Sequence, residues 1–318
     1  MDRLAELKQT LGSRALANEP LSRHTTSRIG GAADVLVEAT SADDLRDLAL
    51  LARRHLVPLL ILGGGANILV ADAGIRGLTI LNKARRLEFL GGGRVRAESG
   101  VLLPTLAREC ITRGLSGLEW AIGVPGTVGG AIVGNAGAHG RDMAADVKQV
   151  WILGPAGDVR PWSAAELQFK YRSSRIKQAQ ASRSEGENGR RGAQYVVLAT
   201  EFELAQGSRA QLEAKAAEFN EYRRRTQPPG ASMGSMFKNP PGDAAGRLID
   251  AAGLKGTRIG MAEISTLHAN FFVNLGGATA RDVKALIDLA RGRVNEKFGV
   301  ELELEIELVG DWSRLPHR

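Results

Sequence analysis

The sequence predicts an α/β or α+β protein, because short apolar strands alternate with amphipathic helices from about residue 34 onward. Two features of the composition narrow its class. Glycine supplies 39 of the 318 residues, well above the ~7% of ordinary proteins. Aromatic residues make up only 5% of the chain, which argues against a platform for stacking nucleic-acid bases. Together these features favour a globular protein whose backbone approaches a ligand closely.

The individual elements follow from hydrophobic periodicity and from turn and cap signals. The first residues, 1–16, have the apolar spacing of a helix, and Ser41 with Asp44 resembles a capping box that opens another. The polar stretch 178–192 has no apolar periodicity and is expected to be a surface loop. Further helices are expected at 41–54, 104–113, 208–225, 247–252 and 280–298, and strands at 35–37, 59–62, 78–81, 95–97, 147–153, 159–162, 195–204, 271–273 and from 300 onward.

Charge and cysteine content limit the partners. The balance of 42 Lys and Arg against 35 Asp and Glu gives +7, which suits an anionic ligand. No helix carries a basic stripe with interleaved aromatics, so nucleic acid is not expected. Cys110 is the only cysteine, so we expect no internal disulfide, no metal site and a cytoplasmic location. The uncharged run 120–138 is broken by glycines and Pro125, so we expect no membrane span.

Two glycine-rich segments are candidates for ligand contact. The first, 63–67 (GGGAN), follows an apolar strand and could offer backbone N–H groups to a phosphate. It matches neither the dinucleotide fingerprint nor the P-loop, so an ordinary tight turn stays open. The second, 123–137, is too rich in glycine for a regular helix or strand. A buried crossover is its alternative explanation, but two such segments fit a large dinucleotide.

The same segments carry a specific resemblance. The sequences LGGGANILV at 62–70 and GVPGTVGGA at 123–131, with NAG at 135–137, resemble the two flavin-binding segments of the bacterial UDP-N-acetylenolpyruvoylglucosamine reductase family. Three more motifs agree in order: FKYRS at 169–173, GSMFKNP at 234–240, and FGV at 298–300 followed by LEI at 304–306. The short spacing between Leu204 and Ser235 is similar to the family's type II form.

The resemblance implies the fold and the domain organisation. It indicates an α+β protein with an FAD-binding domain of the vanillyl-alcohol-oxidase (PCMH) type, made of two subdomains, and a C-terminal α+β substrate-binding domain. The expected boundaries are an N-terminal helix at 1–20, the FAD domain at 21–205 with subdomains at about 21–85 and 86–205, and the substrate domain at 206–318.

The resemblance also implies the chemistry and its residues. FAD and NADPH are the expected cofactors, and UDP-N-acetylglucosamine enolpyruvate is the expected substrate. Ser235 would protonate the substrate α-carbon, Arg172 would bind its carboxylate, and Glu305 would stabilise the enolate. The expected substrate contacts are Tyr171, Arg225, Lys238, Asn239 and His268. The expected FAD contacts are Arg28, Gly63, Gly64, Gly65, Ala66, Asn67, Gly123, Pro125, Gly126, Thr127, Gly129, Gly130 and Asn135, although the family usually has Ser where Ala66 stands.

Three other readings remain open at this point. Residues 230–234 (GASMG) fit the G-x-S-x-G elbow of hydrolases around Ser232, but two prolines precede them where the elbow needs a strand. A flavin-dependent oxidase of the same FAD fold would use many of the same residues. A catalytically silent nucleotide-binding protein would keep the glycine segments without the reaction. The four glutamates of the terminal segment, among them Glu303 and Glu307, would ordinarily mark a solvated strand face.

Overall fold

The computed structural model describes residues 2–181 and 195–313. Its helices are α1 Arg3–Leu11, α2 Ala42–Arg54, α3 Leu103–Thr112, α4 Val128–Gly134, α5 Ala164–Leu167, α6 Arg175–Ala181, α7 Arg209–Thr226, α8 Ala245–Ala251 and α9 Ala280–Phe298. Its strands are β1 Leu16–Pro20, β2 Ala32–Ala39, β3 Leu59–Leu62, β4 Ile68–Val70, β5 Ile75–Asn82, β6 Leu87–Gly91, β7 Arg94–Glu98, β8 Leu115–Ser116, β9 Gly137–Ala138, β10 Arg141–Asp142, β11 Val147–Leu153, β12 Val159–Ser163, β13 Val196–Glu203, β14 Ala205–Gln206, β15 Ala231–Ser235, β16 Arg258–Ile259, β17 Ala262–Ile264, β18 Phe271–Asn274 and β19 Glu307–Val309.

The chain divides into two compact units. The first comprises Met1–Ala17, Val35–Gly64 and Gly77–Glu221; the second comprises Asn18–Asp34, Gly65–Arg76 and Tyr222–Arg318. The chain therefore passes more than once between units, whereas the expected domains, with boundaries at 20/21 and 205/206, are continuous segments. Those domain boundaries stay a prediction, because contacts and sequence continuity divide the chain by different criteria. The helix expected at 1–20 is wrong in its second half, because α1 ends at Leu11 and Leu16–Pro20 form β1.

The first unit is built on a five-stranded antiparallel sheet of order β12-β11-β13-β7-β6. The strands expected at 147–153 and 159–162 are confirmed and form a hairpin, since Leu153 of β11 pairs with Val159 of β12. A second sheet has the order β1-β2-β5-β3, with β3 and β5 parallel. Helix α2 buries Leu45, Leu48 and Ala52 in the core beside this sheet, as its 3.6-residue periodicity requires.

Helix α2 begins as the sequence predicts, with one difference. The Ser41 hydroxyl accepts the Asp44 N–H at 3.1 Å and caps the helix. The Asp44 carboxylate, however, accepts the N–H of Thr40 rather than that of Ser41, and it also binds Arg14. The reciprocal half of a capping box is therefore replaced by an ion pair.

The second unit combines an antiparallel sheet of order β15-β18-β17-β16 with α9. Helix α9 has the expected bounds, because Thr279 forms a capping box with Asp282 and Gly299 ends the helix in the left-handed conformation. Its apolar face contributes Val283 and Leu286 to the unit's core. A separate two-stranded sheet pairs β19 with β4 in parallel.

The continuous strand expected from residue 300 onward is wrong. Only Glu307–Val309 form a strand, β19. The Glu305 N–H donates to Met236 O at 2.9 Å, whereas the Glu307 N–H donates to Asn67 O at 3.0 Å. The terminal segment thus changes partner within two residues, and a chain that changes partner there cannot continue one ladder. The alternation of side chains survives in part, since Leu302 and Ile306 are buried.

Two further expectations concern whole segments. The first residues of the expected loop, 178–181, are helical and end α6, so that part of the expectation is wrong; its remainder lies outside the described residues. Among the residues that the structure describes, no helix has the length and apolar character to cross a membrane.

Candidate active site

The two glycine segments touch each other within the first unit, at Gly63 and Gly64 of the first segment and Gly126 and Thr127 of the second. A Cβ built on Gly63 would lie 2.3 Å from the Thr127 hydroxyl oxygen, and one on Gly64 would lie 3.0 Å from the Gly126 Cα. Side chains at these positions would force the segments apart. Glycine is therefore required here for the close approach of the two segments to each other. Close approach to a ligand, the reason inferred from the sequence, stays a prediction.

Within the second segment, some backbone donors are already bound. The Val128 N–H donates to Val101 O at 2.9 Å, and the Gly129 N–H donates to Ser99 O at 2.8 Å. A Cβ on Gly129 would also meet the Ser99 Cβ at 2.9 Å. Contact of Gly129 with a cofactor stays a prediction, and it would rest on close approach rather than on donation from this N–H group.

The rest of the first segment belongs to the second unit. The Thr26 N–H donates to Gly65 O at 3.1 Å, and the Thr26 hydroxyl donates to Ser232 O at 2.7 Å. Asn67 donates its side-chain amide to Glu305 O at 3.1 Å. The structure thus brings an expected FAD contact, Asn67, next to the backbone of an expected catalytic residue, a link that sequence reasoning missed.

Ser235 and Glu305 are carried by neighbouring segments of the second unit. Phe237 pairs with Leu304 as an isolated antiparallel bridge, and this bridge lies between the bonds from Glu305 N–H to Met236 O and from Lys238 N–H to Glu303 O. Both Ser235 and Glu305 are half-buried. The two residues expected to act on the enolate therefore lie on adjacent segments of the chain.

A β-bulge precedes Ser235. Strand β15 pairs Ser232 with Val273 and Ser235 with Phe271, with a register shift between them, and Gly234 has a φ of +77°. A bulge of this kind changes the direction of the side chain that follows it, and glycine makes the positive φ inexpensive. Ser232 lies inside the strand rather than at a strand-to-helix turn, so the hydrolase reading is wrong.

Asn270 holds the Ser235 segment from the other side. Its side chain accepts the Phe237 N–H at 2.9 Å and donates to Phe237 O at 2.8 Å, while its own carbonyl accepts the Met236 N–H at 2.8 Å. The residue is buried. Sequence reasoning noted only its neighbour His268; a polar residue inside an apolar run was the available signal.

The expected substrate contacts of the second unit take several positions. Lys238 forms an ion pair with Glu303. The Glu303 side chain is 73% exposed, so it is a surface charge, as the alternating pattern predicts. The Asn239 side chain accepts the N–H of Ala245 at 3.1 Å at the start of α8. Arg225 lies in the last turn of α7. The roles of these residues toward a substrate stay predictions.

His268 is tied into the same part of the second unit. Its Nδ1 accepts the Asn270 N–H at 3.2 Å, and its ring packs on Phe271 with centroids 4.8 Å apart. Burial lowers the pKa of the imidazole below its usual value, because the charged form loses hydration. The neutral form fits the accepted hydrogen bond, so these contacts give His268 a structural role whatever it does toward a substrate.

Arg172 and Tyr171 lie in a tight turn of the first unit. Lys170 and Ser173 exchange two backbone hydrogen bonds, at 2.9 and 3.0 Å. Arg172 has a φ of +54°, and its guanidinium donates to Gly137 O at 2.8 Å. The guanidinium also lies over the exposed Tyr171 ring, 5.2 Å from its centroid. A planar cation held in this way suits bidentate binding of a carboxylate.

Cys110 is remote from this chemistry. It is fully buried in α3, and burial raises the pKa of its thiol to about 12. It is therefore a packing residue. Within residues 2–181 and 195–313, no group of acidic, histidine and cysteine side chains could hold a metal ion.

The donor set fits a flavin dinucleotide. At Gly63 and Gly64 the absence of a side chain lets the two segments lie against each other, and glycine-rich turns of this kind bind diphosphates through their backbone. Arg28, in the second unit, has a φ of +56°, and its contact with a cofactor stays a prediction.

Comparison with known proteins also indicates an FAD-binding protein. Residues 33–161 match the family model described as FAD binding domain, and residues 226–309 match the C-terminal domain of UDP-N-acetylenolpyruvoylglucosamine reductase. The chain is 45% identical over 304 residues to the UDP-N-acetylenolpyruvoylglucosamine reductase of Rubrobacter xylanophilus, covering 95% of this chain and 98% of that protein. It is 46% identical over 296 residues to UDP-N-acetylenolpyruvoylglucosamine reductase 2 of Symbiobacterium thermophilum, covering 92% and 91%.

A solved structure is similar over nearly the whole chain. The crystal structure of UDP-N-acetylenolpyruvylglucosamine reductase (MurB) from Thermus caldophilus has a TM-score of 0.75 and 34% identity, covering 92% of this chain and 97% of that one. The expected α+β fold class, with an FAD-binding domain and a C-terminal domain of its own, is confirmed. The chain belongs to the UDP-N-acetylenolpyruvoylglucosamine reductase family.

Proposed function

We propose that Arg172, Ser235 and Glu305 carry out the substrate half of the reaction that family membership assigns to this chain. That reaction is the NADPH-dependent, FAD-mediated reduction of UDP-N-acetylglucosamine enolpyruvate to UDP-N-acetylmuramate, a step of peptidoglycan precursor synthesis. The observation that carries the assignment is the pairing of the Ser235 and Glu305 segments through Phe237 and Leu304. This pairing puts the proposed proton donor and a carboxyl group on adjacent segments of the chain.

The cofactor has a defined part in this scheme. The chemistry that bound FAD supplies is the transfer of a hydride, taken from NADPH, to the β-carbon of the enolpyruvyl group. The residues that would hold it are the two glycine segments, 63–67 and 123–130, together with Arg28. Gly63 and Gly64 support this role because side chains there would force the two segments apart at Thr127 and Gly126.

Each catalytic residue has one task. The Arg172 guanidinium binds both oxygens of the substrate carboxylate and stabilises the charge that develops next to it. Glu305 stabilises the same enolate through its carboxyl group. Ser235 delivers a proton to the α-carbon, which a weak acid can do because an enolate is a strong base.

Further contacts and the location of the enzyme complete the proposal. Lys238, Asn239 and Arg225 neutralise and bind the UDP diphosphate and sugar, and Tyr171 and His268 contact the substrate. The reaction takes place in the cytoplasm, a location supported by the single cysteine of the chain, which cannot form an internal disulfide. The flavin oxidase alternative is not favoured, because the relatives that match along the whole chain carry the reductase name.

The experiment that tests the proposal measures the two half-reactions of Ser235→Ala by rapid mixing. Reduction of FAD by NADPH should keep its rate, because no proton is delivered to carbon in that step. Reoxidation by the enolpyruvyl substrate should slow by at least about 10²-fold, the contribution of a general acid, and Ser235→Cys should retain more activity than Ser235→Ala.

Ser232→Ala is the matched control, since Ser232 lies in the same strand within the regular ladder. It should leave both half-reactions near their normal rates. If Ser235→Ala is reoxidised by substrate at the normal rate, or if both serine variants behave alike, Ser235 is not the proton donor.

A further inference from the structure

Four non-glycine residues with positive φ lie in the segments 135–139 and 168–172, the second of which carries Arg172. They are Asn135, His139, Gln168 and Arg172, and all belong to the first unit. Such backbone conformations are costly for ordinary side chains and persist only where surrounding contacts impose them. We therefore expect contacts near Arg172 that impose its positive φ.

One buried side chain supplies them. The Asn135 amide nitrogen donates to Lys170 O and to the Asp142 carboxylate, each at 3.0 Å, and its oxygen accepts the Ala144 N–H at 3.2 Å. Asn135 is 2% exposed. Both amide hydrogens are thus used within the protein, so the FAD contact expected of this residue would have to come from another of its atoms.

The connection to the Arg172 turn is reciprocal. Asn135 donates to Lys170 O, and Arg172 donates back to Gly137 O at 2.8 Å. Residues 135–137 and 170–172 are therefore joined in both directions across 35 residues of sequence. Helix α4, whose first residues form part of the glycine segment, ends at Asn135, so the side chain connects that helix to the arginine.

The chemistry of the site selects asparagine. Its neighbours are two acceptors, a carbonyl and a carboxylate, and one backbone donor. Only an amide satisfies all three. Asparagine also adopts the left-handed conformation more readily than other non-glycine residues, and Asn135 has a φ of +44°.

We propose that Asn135 is the positioning residue of Arg172: its amide sets the turn at 170–173 so that the guanidinium meets the substrate carboxylate. The inference rests on the proposed role of Arg172. It predicts that loss of the amide affects the substrate half-reaction through Arg172 alone, because a small displacement of a binding group lowers the rate of the step that it serves.

The test is a double-mutant cycle on the FAD-loaded enzyme, measured by rapid mixing. Asn135→Asp keeps the volume and the acceptor but loses the donor, and Asn135→Gly keeps the positive φ but loses the whole amide. Each should slow reoxidation by substrate about tenfold or more, while reduction by NADPH stays within about twofold. Combined with Arg172→Lys, either variant should add less than about twofold, because a positioning residue has nothing left to position.

Asn82→Ala is the matched control. Asn82 is another buried amide of the first unit, bound to the Ser99 hydroxyl and the Ala84 N–H. Its effect should be additive with that of Arg172→Lys. The melting temperature and the flavin content of every variant are measured beside the rates, so that a loss of folding is seen as such; if Asn135→Gly does not fold, Asn135→Asp decides.

The outcomes separate the two proposals. If Arg172→Lys alone leaves reoxidation unchanged, the proposed role of Arg172 fails and the inference falls with it. If Arg172→Lys slows reoxidation but the Asn135 variants add their full effect to it, only the inference is overturned. Equal slowing of both half-reactions, or loss of FAD from both Asn135 variants, also overturns it, because Asn135 would then serve the flavin or the fold.

Discussion

Two buried asparagines, one in each unit, hold the segments that carry the proposed catalytic groups. Asn135 is 2% exposed and binds the Arg172 turn, whereas Asn270 is 3% exposed and binds the Ser235 segment. In both, the side-chain amide hydrogen-bonds to backbone groups of the segment, as a neighbouring strand would. They differ in what else supports the segment that they hold.

The Ser235 segment has redundant support. Besides the Asn270 side chain, backbone bonds join Met236 to Asn270 and to Glu305, and Lys238 to Glu303. The Arg172 turn has its own two backbone bonds, and the links described to residues 135–137 run through side chains. One proposed catalytic segment is thus held mainly by backbone pairing, whereas the links described between the other and residues 135–137 run through the side chains of Asn135 and Arg172.

The largest effect should come from Asn270→Ala, and it should be on stability. The change leaves the buried N–H and C=O of Phe237 without their side-chain partners, which should lower the free energy of unfolding by about 2–4 kcal/mol. Because backbone pairing still holds Ser235, molecules that stay folded should be reoxidised by substrate at nearly the normal rate. Denaturant unfolding and rapid mixing measure the two quantities; a large loss of rate without loss of stability would break the comparison.

A smaller effect is expected for Glu305→Gln. Because the backbone of residue 305 is held by Met236, the substitution should remove only the carboxyl group, and reoxidation by substrate should slow about tenfold, the value of a hydrogen bond to a charged group. Glu303→Gln is the matched control, since Glu303 sits two residues away and pairs with Lys238. Similar rates for the two variants would remove Glu305 from the mechanism.

His268 should give the Asn270 region a modest pH dependence. Burial lowers the pKa of folded His268 below its usual 6.5. As pH falls through 6.5 the unfolded chain takes up a proton before the folded one does, so this residue's contribution to stability should be lost progressively below that pH. Urea unfolding of wild type and His268→Asn between pH 8 and 5 checks this: the free energy of unfolding of wild type, relative to that of the variant, should decrease as the pH falls, and a relative stability that rises as the pH falls would contradict it.

The smallest effect concerns Cys110, which reports on opening of the first unit. With its pKa raised to about 12 by burial, the native thiol should not react with a disulfide reagent at pH 8. Loosening one turn should not change that, so Asn135→Asp should label as slowly as wild type. Rapid labelling of that variant, followed by absorbance, would show that Asn135 supports the whole unit.

Much of this molecule could be predicted from local sequence. The bounds of α9 follow from Thr279, Asp282 and Gly299, and the hairpin of β11 and β12 follows from alternation around a turn. These features are encoded by residues a few positions apart. Five ordered motifs also predicted the family and the residues proposed to act in it.

The features that the sequence did not reveal depend on contacts between residues that lie far apart in the sequence. The terminal segment alternates like one strand, but it changes partner between Glu305 and Glu307, and no local pattern records where a partner ends. The bond from Asn135 to Lys170 spans 35 residues. The positive φ of Arg172 is imposed by such contacts and not by the residue type.

The central claim is that this chain passes reducing equivalents from NADPH through FAD to an enolpyruvyl substrate. It is tested most directly by the anaerobic absorbance spectrum of the purified protein, recorded before and after adding NADPH and again after adding UDP-N-acetylglucosamine enolpyruvate. We expect the spectrum to show a flavin band that NADPH bleaches and the substrate restores, and we expect acid precipitation to release free FAD. A colourless protein, a flavin band that NADPH does not bleach, or a bleached band that the substrate does not restore would contradict it.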